Sequence, residues 1–483
     1  MAQSIPASRL ASLLGPVPTR GPAYQGIAEG IRLLVVDGRV SDGSRLPSER
    51  ELAAALGVSR TTTARVYSEL RASGMLQSRQ GSGSIVSLPY AASSASSMIV
   101  TPDSDDTIAL TYAAQAAPSG LGRAFESALT KLPGLLSTTG YLPDGLPVLR
   151  ELLAERYNAR GLPTDPEQIV ITSGALGGIS LLARTLLGPG RRVVVEGVSY
   201  PHAHESFAAV GSRLSALPIA DSPWDPTALA STLRGASHRA AYLIPDFHNP
   251  TGEVMTDDER GSWARELRRH DVVPIVDESL RDLNLDGVDL PRSYASYDPR
   301  AVLVDSASKS YWGGLRIGWI RAPRGLVMPL IQARMSQDLG SAAFEQLVLA
   351  ELLTEGGQTA AAARSTLRSG RDHLLAELAE VLPEVEAPCP AGGLSLWLTL
   401  PDRVSSQLTA AASRHGLLLT PGPRFFSASG TMGERHLRVP FTQSAATLTE
   451  AVARLRSAYD EVLGNDRAAP AEIRSSETLE LIA

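Results

Sequence analysis

Five short runs of apolar, often β-branched residues recur through the middle of the 483-residue chain, and stretches with helical periodicity separate them. The runs are Gln168–Thr172, Arg192–Glu196, Ala241–Pro245, Val272–Val276 and Ala301–Asp305. Strands that alternate with helices predict an α/β fold built on a mostly parallel sheet. Ligands bind such sheets beyond the carboxyl ends of the strands. The residues that directly follow the five runs are therefore the first candidates for a functional site.

The last run ends in a small, hydroxyl-rich turn that carries Lys309, and Arg316 follows seven residues later. Lys131 is the only other lysine in the chain, and arginine supplies the remaining basic residues. A guanidinium cannot form a Schiff base, whereas an amine can. The lysine at this strand end therefore indicates a site that needs an amine rather than any cation. A chance lysine at the surface is the alternative.

The other strand ends also carry residue types that suit a bound ligand. Residues 173–175, Ser-Gly-Ala, open a helix whose N-terminal N–H groups can bind phosphate. Tyr200 can stack on a flat ring, and Asn249 lies in a turn of Asn-Pro and Thr-Gly. Asp277 directly follows an apolar strand, where a carboxylate needs a cationic partner. Taken singly, each feature is also explained by packing or by turn formation.

This ordered set resembles the fold-type I enzymes that depend on pyridoxal 5'-phosphate (PLP), the aminotransferase family, from residue 108 to about residue 465. The resemblance implies that Lys309 forms a Schiff base with PLP and that Asp277 keeps the pyridine nitrogen protonated. Asn249 would hydrogen-bond the ring oxygen, and Tyr200 would stack on the ring. The residues implied to hold the phosphate are Ser173, Gly174, Ala175, Ser306, Ser308 and Arg316.

Two further residues match the family outside these strand ends. Arg438 matches its carboxylate-binding arginine, and the bidentate fork suits the carboxylate of an amino-acid effector. Tyr141 matches the aromatic residue that reaches the phosphate of the neighbouring subunit, which implies a two-fold homodimer. The family's tyrosine two or three residues after the aspartate is absent, because Ser279 and Leu280 stand there. The resemblance therefore implies PLP binding, with proton handling altered by the missing phenol.

The N-terminal block has a different pattern. Apolar residues at helical spacing in residues 24–36 predict one helix. Ser48, with Glu51 three residues later, is a capping-box pattern that begins a second helix. Ser59 caps a third helix after a tight glycine-containing turn, which predicts a helix-turn-helix. Residues 75–86 predict a β-hairpin with a glycine-rich tip, the geometry of a wing.

This block resembles the winged helix-turn-helix of the GntR family, whose signature appears as Leu-Pro-Ser-Glu-Arg from Leu46 and Gly-Val-Ser-Arg from Gly57. The resemblance implies that the third helix enters the major groove of double-stranded DNA. The implied DNA contacts are Arg50, Ser59, Arg60, Thr61, Thr62, Gln80 and Gly81. One arginine of the family falls on Ala64, and Arg65 is turned about 100° around the helix from it. A winged helix used for protein contact is the alternative.

Charge and composition agree with a DNA-binding head on a body inside the cell. Residues 1–90 hold ten arginines and six acidic residues, a balance of +4, and the rest holds 35 basic and 45 acidic residues, a balance of −10. We find no run of about 18 apolar residues and no signal-peptide pattern, so no membrane partner is expected. The single cysteine, Cys389, excludes an internal disulfide and fits a cytoplasmic location. Metal sites built on Cys/His spacing are absent from the sequence.

These patterns predict an α/β chain with four segments: a GntR-type winged helix-turn-helix at 1–88, a flexible linker at 89–107, an aminotransferase-like PLP-binding domain at 108–465 and a tail at 466–483. The arrangement resembles the MocR group of GntR regulators. It implies a dimeric transcription factor in which PLP, free or as an aldimine with an amino compound, modulates promoter binding. The alternatives are a working PLP-dependent aminotransferase with an accessory DNA-binding head, and a DNA-binding domain on a fold that has lost its cofactor.

Overall fold

The computed structural model describes residues 4–15, 22–36, 40, 44–72, 75–79, 83–86, 106–219, 222–427 and 432–468. The wing-tip residues Gln80 and Gly81, residues 87–105 of the linker region and residues 469–483 of the expected tail lie outside this description. Within the described ranges, no helix combines the length and the apolar character that a membrane crossing requires.

Helices and a two-stranded hairpin form the N-terminal unit. They are α1 (Ala7–Leu14), α2 (Ala23–Val36), α3 (Glu49–Leu56), α4 (Arg60–Ala72), β1 (Leu76–Arg79) and β2 (Gly83–Val86). The predicted capping box begins α3, because the Ser48 hydroxyl accepts from Glu51 N at 3.2 Å and the Glu51 carboxylate accepts from Ser48 N at 2.8 Å. Gly57 ends α3 with a φ of 67°, and the Ser59 hydroxyl accepts from Thr62 N at 3.0 Å at the start of α4. The predicted helix-turn-helix and hairpin strands are therefore confirmed.

One hydrophobic core joins these helices to the hairpin. Its buried side chains include Leu10, Ile27, Ile31, Leu52, Val66, Leu70, Leu76 and Val86. Two backbone hydrogen bonds join the hairpin to the segment that precedes α3 in sequence. They run from Leu46 N to Ser84 O at 3.0 Å and from Val86 N to Ser44 O at 2.9 Å. The hairpin is thereby attached to the residues that precede α3.

A seven-stranded sheet forms the centre of the large unit in the described part of the chain. Its strands are β4 (Ile169–Thr172), β5 (Arg192–Val195), β6 (Arg213–Ala216), β7 (Ala240–Leu243), β8 (Val273–Asp277), β9 (Val302–Ser306) and β10 (Gly318–Arg321). Their order is β4–β10–β9–β8–β7–β5–β6. Strands β5 to β9 pair in parallel, and β10 runs antiparallel to both β4 and β9. The predicted mostly parallel sheet is confirmed.

Helices cover both faces of this sheet, so its strands are largely buried, except for the edge strand β6. The helices are α5 (Leu121–Leu136), α6 (Pro147–Ala159), α7 (Gly174–Leu186), α8 (Pro201–Ala209), α9 (Pro226–Gly235), α10 (Asp257–Arg269), α11 (Ala307–Ser310), α12 (Arg324–Arg334) and α13 (Ala343–Thr354). Successive strand residues alternate between two hydrophobic clusters. Leu243 and Leu303 belong to one cluster, whereas Tyr242 and Val304 belong to the other.

The C-terminal part of the chain forms a smaller unit with its own core. Its elements are α14 (Gln358–Val381), β11 (Ser395–Thr399), α15 (Ser405–Arg414), β12 (Leu417–Leu418), β13 (Thr420–Pro421), β14 (His436–Pro440) and α16 (Ala445–Ala468). Strands β11, β14 and β13 form an antiparallel sheet, and β12 pairs in parallel with β3 (Ile108–Ala109). The first strand after the linker thus belongs to the small unit. Helix α16 continues to Ala468, past the expected start of the tail at residue 466.

Candidate functional site

A cavity of about 560 Å³ opens at the carboxyl edge of the large sheet. The expected ligand-binding residues that line it are Ala175, Tyr200, Asn249, Asp277, Ser306, Ser308, Lys309, Arg316 and Arg438. Parallel strands bring these distant positions to one edge. Ser173 and Gly174 contact Arg316 and, in the described part of the chain, are not among the residues that line the cavity. Tyr141 is 65% exposed and is not among the described residues that line the cavity of its own chain.

Lys309 lies half-buried in the one-turn helix α11 that follows β9. Its Nζ donates a hydrogen bond to the backbone oxygen of Ala113 at 2.9 Å. Burial and the nearby cation of Arg438 lower the pKa of Lys309 to about 8, while the charge of Asp277 acts in the opposite direction. An amine with such a pKa is neutral in an appreciable fraction near neutral pH, and the neutral form is the one that attacks a carbonyl carbon.

Asp277 is buried at the end of β8 and is held by two donors. Its Oδ2 accepts from the phenol of Tyr242 at 2.9 Å, and its Oδ1 accepts from Ser279 N at 3.0 Å. Burial raises the pKa of Asp277, and the hydrogen bonds from Ser279 and Tyr242 together with the charge of Lys309 oppose that rise. A carboxylate oriented in this way suits a protonated ring nitrogen. The sequence did not indicate a role for Tyr242, because it lies within an apolar strand and not at a strand end.

The turn that carries Asn249 is supported from behind by the buried carboxylate of Glu196. Glu196 accepts from Trp224 Nε1 at 2.8 Å and from Ile244 N at 2.9 Å, and its Oε2 lies 3.3 Å from His248 Nε2. Burial alone would raise the pKa of Glu196, but the charge of His248 and the hydrogen bonds from His248, Ser199 and Ile244 together outweigh burial, and the pKa is lowered. The turn that carries Asn249 is therefore fixed by a buried polar network.

Arg316, Ser308 and the start of α7 form a donor-rich corner of the cavity. Arg316 Nη1 donates to Ser308 Oγ at 3.4 Å, and Nη2 donates to Ser173 O at 3.0 Å. Gly174 has a φ of +77°, and a Cβ there would lie 2.5 Å from Arg316 Nη2. The Ser173 side chain makes no cap hydrogen bond to α7 in the described structure, so the first N–H groups of α7 remain available to an anion. This corner suits a phosphate.

Arg438 on β14 is only 2% exposed and stands 4.8 Å from the ring centre of Phe425. Its Nη2 donates to Thr111 O at 2.7 Å, and its Nη1 lies 3.5 Å from Asn249 Oδ1. Its Nε has no hydrogen-bond partner among the described residues. Burial lowers the pKa of Arg438 to about 10, against the opposing effect of Tyr200. A buried guanidinium with a spare donor suits a carboxylate-bearing ligand.

Leu280 stands where the aminotransferase family has its tyrosine, and it lines the cavity with 8% of its surface exposed. Phe247 and Ile244 add to the apolar wall. The cavity therefore combines a few oriented polar groups with apolar surface, which is the usual composition of a small-molecule site.

The expected DNA contacts lie around the first turn of α4. Arg50, Ser59, Arg60 and Thr61 are exposed, and Thr62 is half-buried. The Ser59 hydroxyl is engaged by Thr62, whose Oγ1 lies 2.8 Å away. Arg65 stacks on the ring of Tyr24 at 4.5 Å, which agrees with its rotated position on the helix. Gln80 and Gly81 fall in the part of the wing that the structure does not describe.

The fold and the cavity define a chain of the aminotransferase type, preceded by a winged helix-turn-helix. A family model described as aminotransferase class I and II matches residues 136–455, and a model for bacterial regulatory proteins of the gntR family matches residues 23–86. The chain belongs to the aminotransferase class I and II family, and it carries a GntR-type helix-turn-helix in the arrangement of MocR-type regulators.

Known proteins of two kinds are similar to this chain. HTH-type transcriptional regulator YdfD of Bacillus subtilis is 28% identical over 440 residues, which cover 85% of this chain and 91% of that protein. The 2-aminoadipate transaminase of Thermus thermophilus is 30% identical over 360 residues, with coverage of 73% and 86%. A solved structure, LysN of Thermus thermophilus complexed with N-(5'-phosphopyridoxyl)-L-leucine, is 26% identical with a TM-score of 0.67 and coverage of 75% and 94%.

Proposed function

We propose that this chain is a PLP-responsive transcriptional regulator, in which PLP, free or joined to an amino compound, changes how the N-terminal unit binds promoter DNA. The observation that carries the proposal is a single cavity that gathers Lys309, Asp277 and Arg438 in a chain that also has a GntR-type helix-turn-helix. An amine, a carboxylate and a carboxylate-binding cation match the aldehyde, the ring nitrogen and the amino-acid carboxylate of such a ligand.

The residues present fit the cofactor. PLP supplies an aldehyde that combines with amines and a ring that withdraws electrons. Lys309 would hold it covalently, and Asp277 would keep a proton on its ring nitrogen. The phosphate would lie against Arg316 and the uncapped start of α7. Gly174 has no Cβ and therefore lets Arg316 approach the start of this helix. The similarity to LysN, whose structure contains a phosphopyridoxyl ligand, supports the same assignment.

The carboxylate of an amino-compound effector would engage Arg438. Its Nε already lacks a partner among the described residues, so a carboxylate could satisfy a buried donor that is otherwise unpaired. With the cofactor held in this way, Tyr200 would stack on its ring and Asn249 would hydrogen-bond the ring oxygen. Ser306 and Ser308 would help to hold the phosphate.

We further propose a homodimer that acts on DNA in the cytoplasm. Tyr141 is 65% exposed and Leu136 is 75% exposed. A partner subunit that covers these two side chains would let Tyr141 reach the partner's phosphate corner. Two heads in a dimer would address two half-sites of an operator. Arg50, Arg60 and Thr61, which are exposed, would be the central DNA contacts of each head.

The test is a DNA titration of the full-length chain. Genomic fragments that the chain retains would first be selected, and the Kd for the best fragment would then be measured with and without saturating PLP. A ligand regulates only if it binds one state better than the other, and such couplings usually change affinity about 5- to 150-fold. We expect a change in that range on the selected fragment. An identical Kd in both conditions would contradict the proposal.

A second function is supported by the same cavity: a working PLP-dependent aminotransferase with an accessory head. The observation in its favour is that Lys309, with its pKa near 8, shares the cavity with Asp277 and Arg438. A transaminase would convert an added amino acid to its 2-oxo acid over many cycles, with pyridoxamine phosphate as the alternating form. A single spectral change without continuing product would favour the regulator. Failure of the chain to develop an absorption band with PLP would indicate a fold that has lost its cofactor.

A further inference from the structure

Residues 106–115, which we call the strap, begin with the last two residues of the predicted linker and lead into the large unit. Tyr112, Ala113 and Ala114 of the strap line the cavity. The strap is therefore the part of the cavity wall that lies nearest in sequence to the DNA-binding unit. Its contacts with the ligand-binding side chains could therefore link the cavity to the DNA-binding unit.

Two of the three cations assigned to the ligand, Lys309 and Arg438, donate hydrogen bonds to the strap. Lys309 Nζ donates to Ala113 O at 2.9 Å, and Arg438 Nη2 donates to Thr111 O at 2.7 Å. These carbonyls are two residues apart. A Schiff base leaves Lys309 Nζ with at most one N–H, so its bond to Ala113 O weakens when the ligand is held covalently. Thr111 O is also held by the small unit through Thr420 Oγ1 at 3.0 Å. A ligand at Lys309 therefore weakens the hold of the large unit on the strap, whereas the Thr111 end stays with the small unit.

The other half of the strap is fixed to the small unit. Ile108 N donates to Gly416 O at 2.9 Å, and Leu110 N donates to Leu418 O at 2.8 Å. Arg454 of α16 holds Asp106 twice, through Nη1 to the backbone oxygen at 2.6 Å and through Nη2 to Oδ1 at 2.7 Å. The strap thus connects the amine on the large sheet to the point where the linker ends.

Resting on the proposed function, we propose that the strap conveys ligand occupancy to the DNA-binding unit: engagement of Lys309 by ligand weakens its bond to the carbonyl of Ala113, engagement of Arg438 acts on the small unit that carries it, and the small unit and strap shift together. Arg454 carries the shift to Asp106. The inference deepens the proposed function, because it names the route by which the cavity regulates DNA binding. The strap is bonded to the small unit at Asp106, Ile108, Leu110 and Thr111, so a shift of the small unit reaches the end of the linker.

The test compares Arg454→Met with Arg456→Met in the full-length chain. Arg456 lies two residues further along α16 and pairs with Glu384 and Asp460 instead of the strap. Arg456→Met removes ion pairs near the surface, which contribute little to stability. Arg454→Met removes the ion pairs with Asp106 and Glu450 and also the hydrogen bonds from Nη1 to the backbone oxygens of His415 and Gly416. The readout is the ratio of the Kd for the selected DNA fragment without PLP to that with PLP. We expect Arg454→Met to bring this ratio to within about twofold of one, from a wild-type coupling in the usual range. Arg456→Met should keep the wild-type ratio, and the Kd for PLP should be unchanged in both.

Amide hydrogen exchange gives a second measurement that needs no DNA. Addition of PLP to the wild-type chain should increase exchange in a peptide that covers residues 106–115, because the strap loses donors. Equal ratios in the two variants, or loss of PLP binding in Arg454→Met, would overturn the inference while leaving the proposed function intact. A wild-type Kd ratio of one would instead refute the proposed function. Unchanged amide exchange of the strap on addition of PLP would overturn the inference.

Discussion

The phenol of Tyr242 on β7 donates a hydrogen bond of 2.9 Å to Oδ2 of Asp277 on the neighbouring strand β8. Tyr242 is completely buried, and burial together with the charge of Asp277 raises its pKa well above the usual value. The phenol therefore remains a donor across the accessible pH range. It orients the carboxylate from within the sheet, in a chain that lacks the family's tyrosine after Asp277. We infer that Tyr242 is a positioning residue for Asp277.

Tyr242→Phe should weaken PLP binding about tenfold or more, because a hydrogen bond to a charged acceptor contributes ~1.5–3 kcal/mol. Fluorescence quenching during a PLP titration measures the Kd. Tyr459→Phe is the matched control, since the buried Tyr459 phenol has no hydrogen-bond partner among the described residues. Its PLP affinity should stay at the wild-type value. Equal affinities for all three proteins would show that Asp277 needs no donor from Tyr242.

The pKa of Lys309, lowered to about 8 by burial and by the cation of Arg438, predicts the pH dependence of cofactor capture. The neutral amine is the reactive form, so the rate should rise about tenfold per pH unit below pH 8 and level off above it. Arg438→Met removes the neighbouring positive charge, so it should raise the pKa of Lys309 and move the plateau to higher pH. Stopped-flow absorbance records both profiles.

Arg435→Met is the control for that profile. Arg435 lies three residues before Arg438 and donates to Pro401 O, and the midpoint should stay near pH 8 when it is replaced. A wild-type midpoint near 10.5, the ordinary value for a lysine, would show that the cavity leaves the amine unperturbed.

Arg60 at the exposed start of α4 should read a base in the major groove. Arg60→Ala is then expected to cost ~1–3 kcal/mol of binding to the selected fragment and much less on random DNA. Fluorescence anisotropy with the two DNA sequences measures the difference. Arg71→Ala, in the last turn of the same helix and 3.9 Å from Glu49, should leave the preference unchanged. An equal loss on both sequences would reassign Arg60 to the phosphate backbone.

Much of the fold could be predicted because its signals are local. The strand runs, the capping box at Ser48 and the strand-end positions of Asp277 and Lys309 each depend on a few neighbouring residues. The relationship between Tyr242 and Asp277 could not be predicted in this way. Tyr242 is paired with Ile275, two residues before Asp277, so the two polar groups share a face only in this register.

The contacts of the strap are even less visible in the sequence. Arg438 and Thr111 are 327 positions apart, and the acceptor is a backbone carbonyl that every residue possesses. The resemblance to aminotransferases picked out Arg438, but only the folded chain brings it to the segment that leads to the linker. The resemblance also assigned Ser173 and Gly174 to the phosphate; both contact Arg316 at the start of α7, and their role stays a prediction.

The central claim is that PLP acts on DNA binding through Lys309. The most direct measurement is the Kd for the selected fragment, with and without PLP, for the wild type, Lys309→Ala and Lys131→Ala. Lys131 is the only other lysine and lies on the surface in an ion pair with Glu351. We predict that Lys131→Ala keeps both the PLP absorption band and the PLP-dependent change in Kd, and that Lys309→Ala loses both while binding DNA normally without PLP. A PLP-dependent change that persists undiminished in Lys309→Ala would contradict the account.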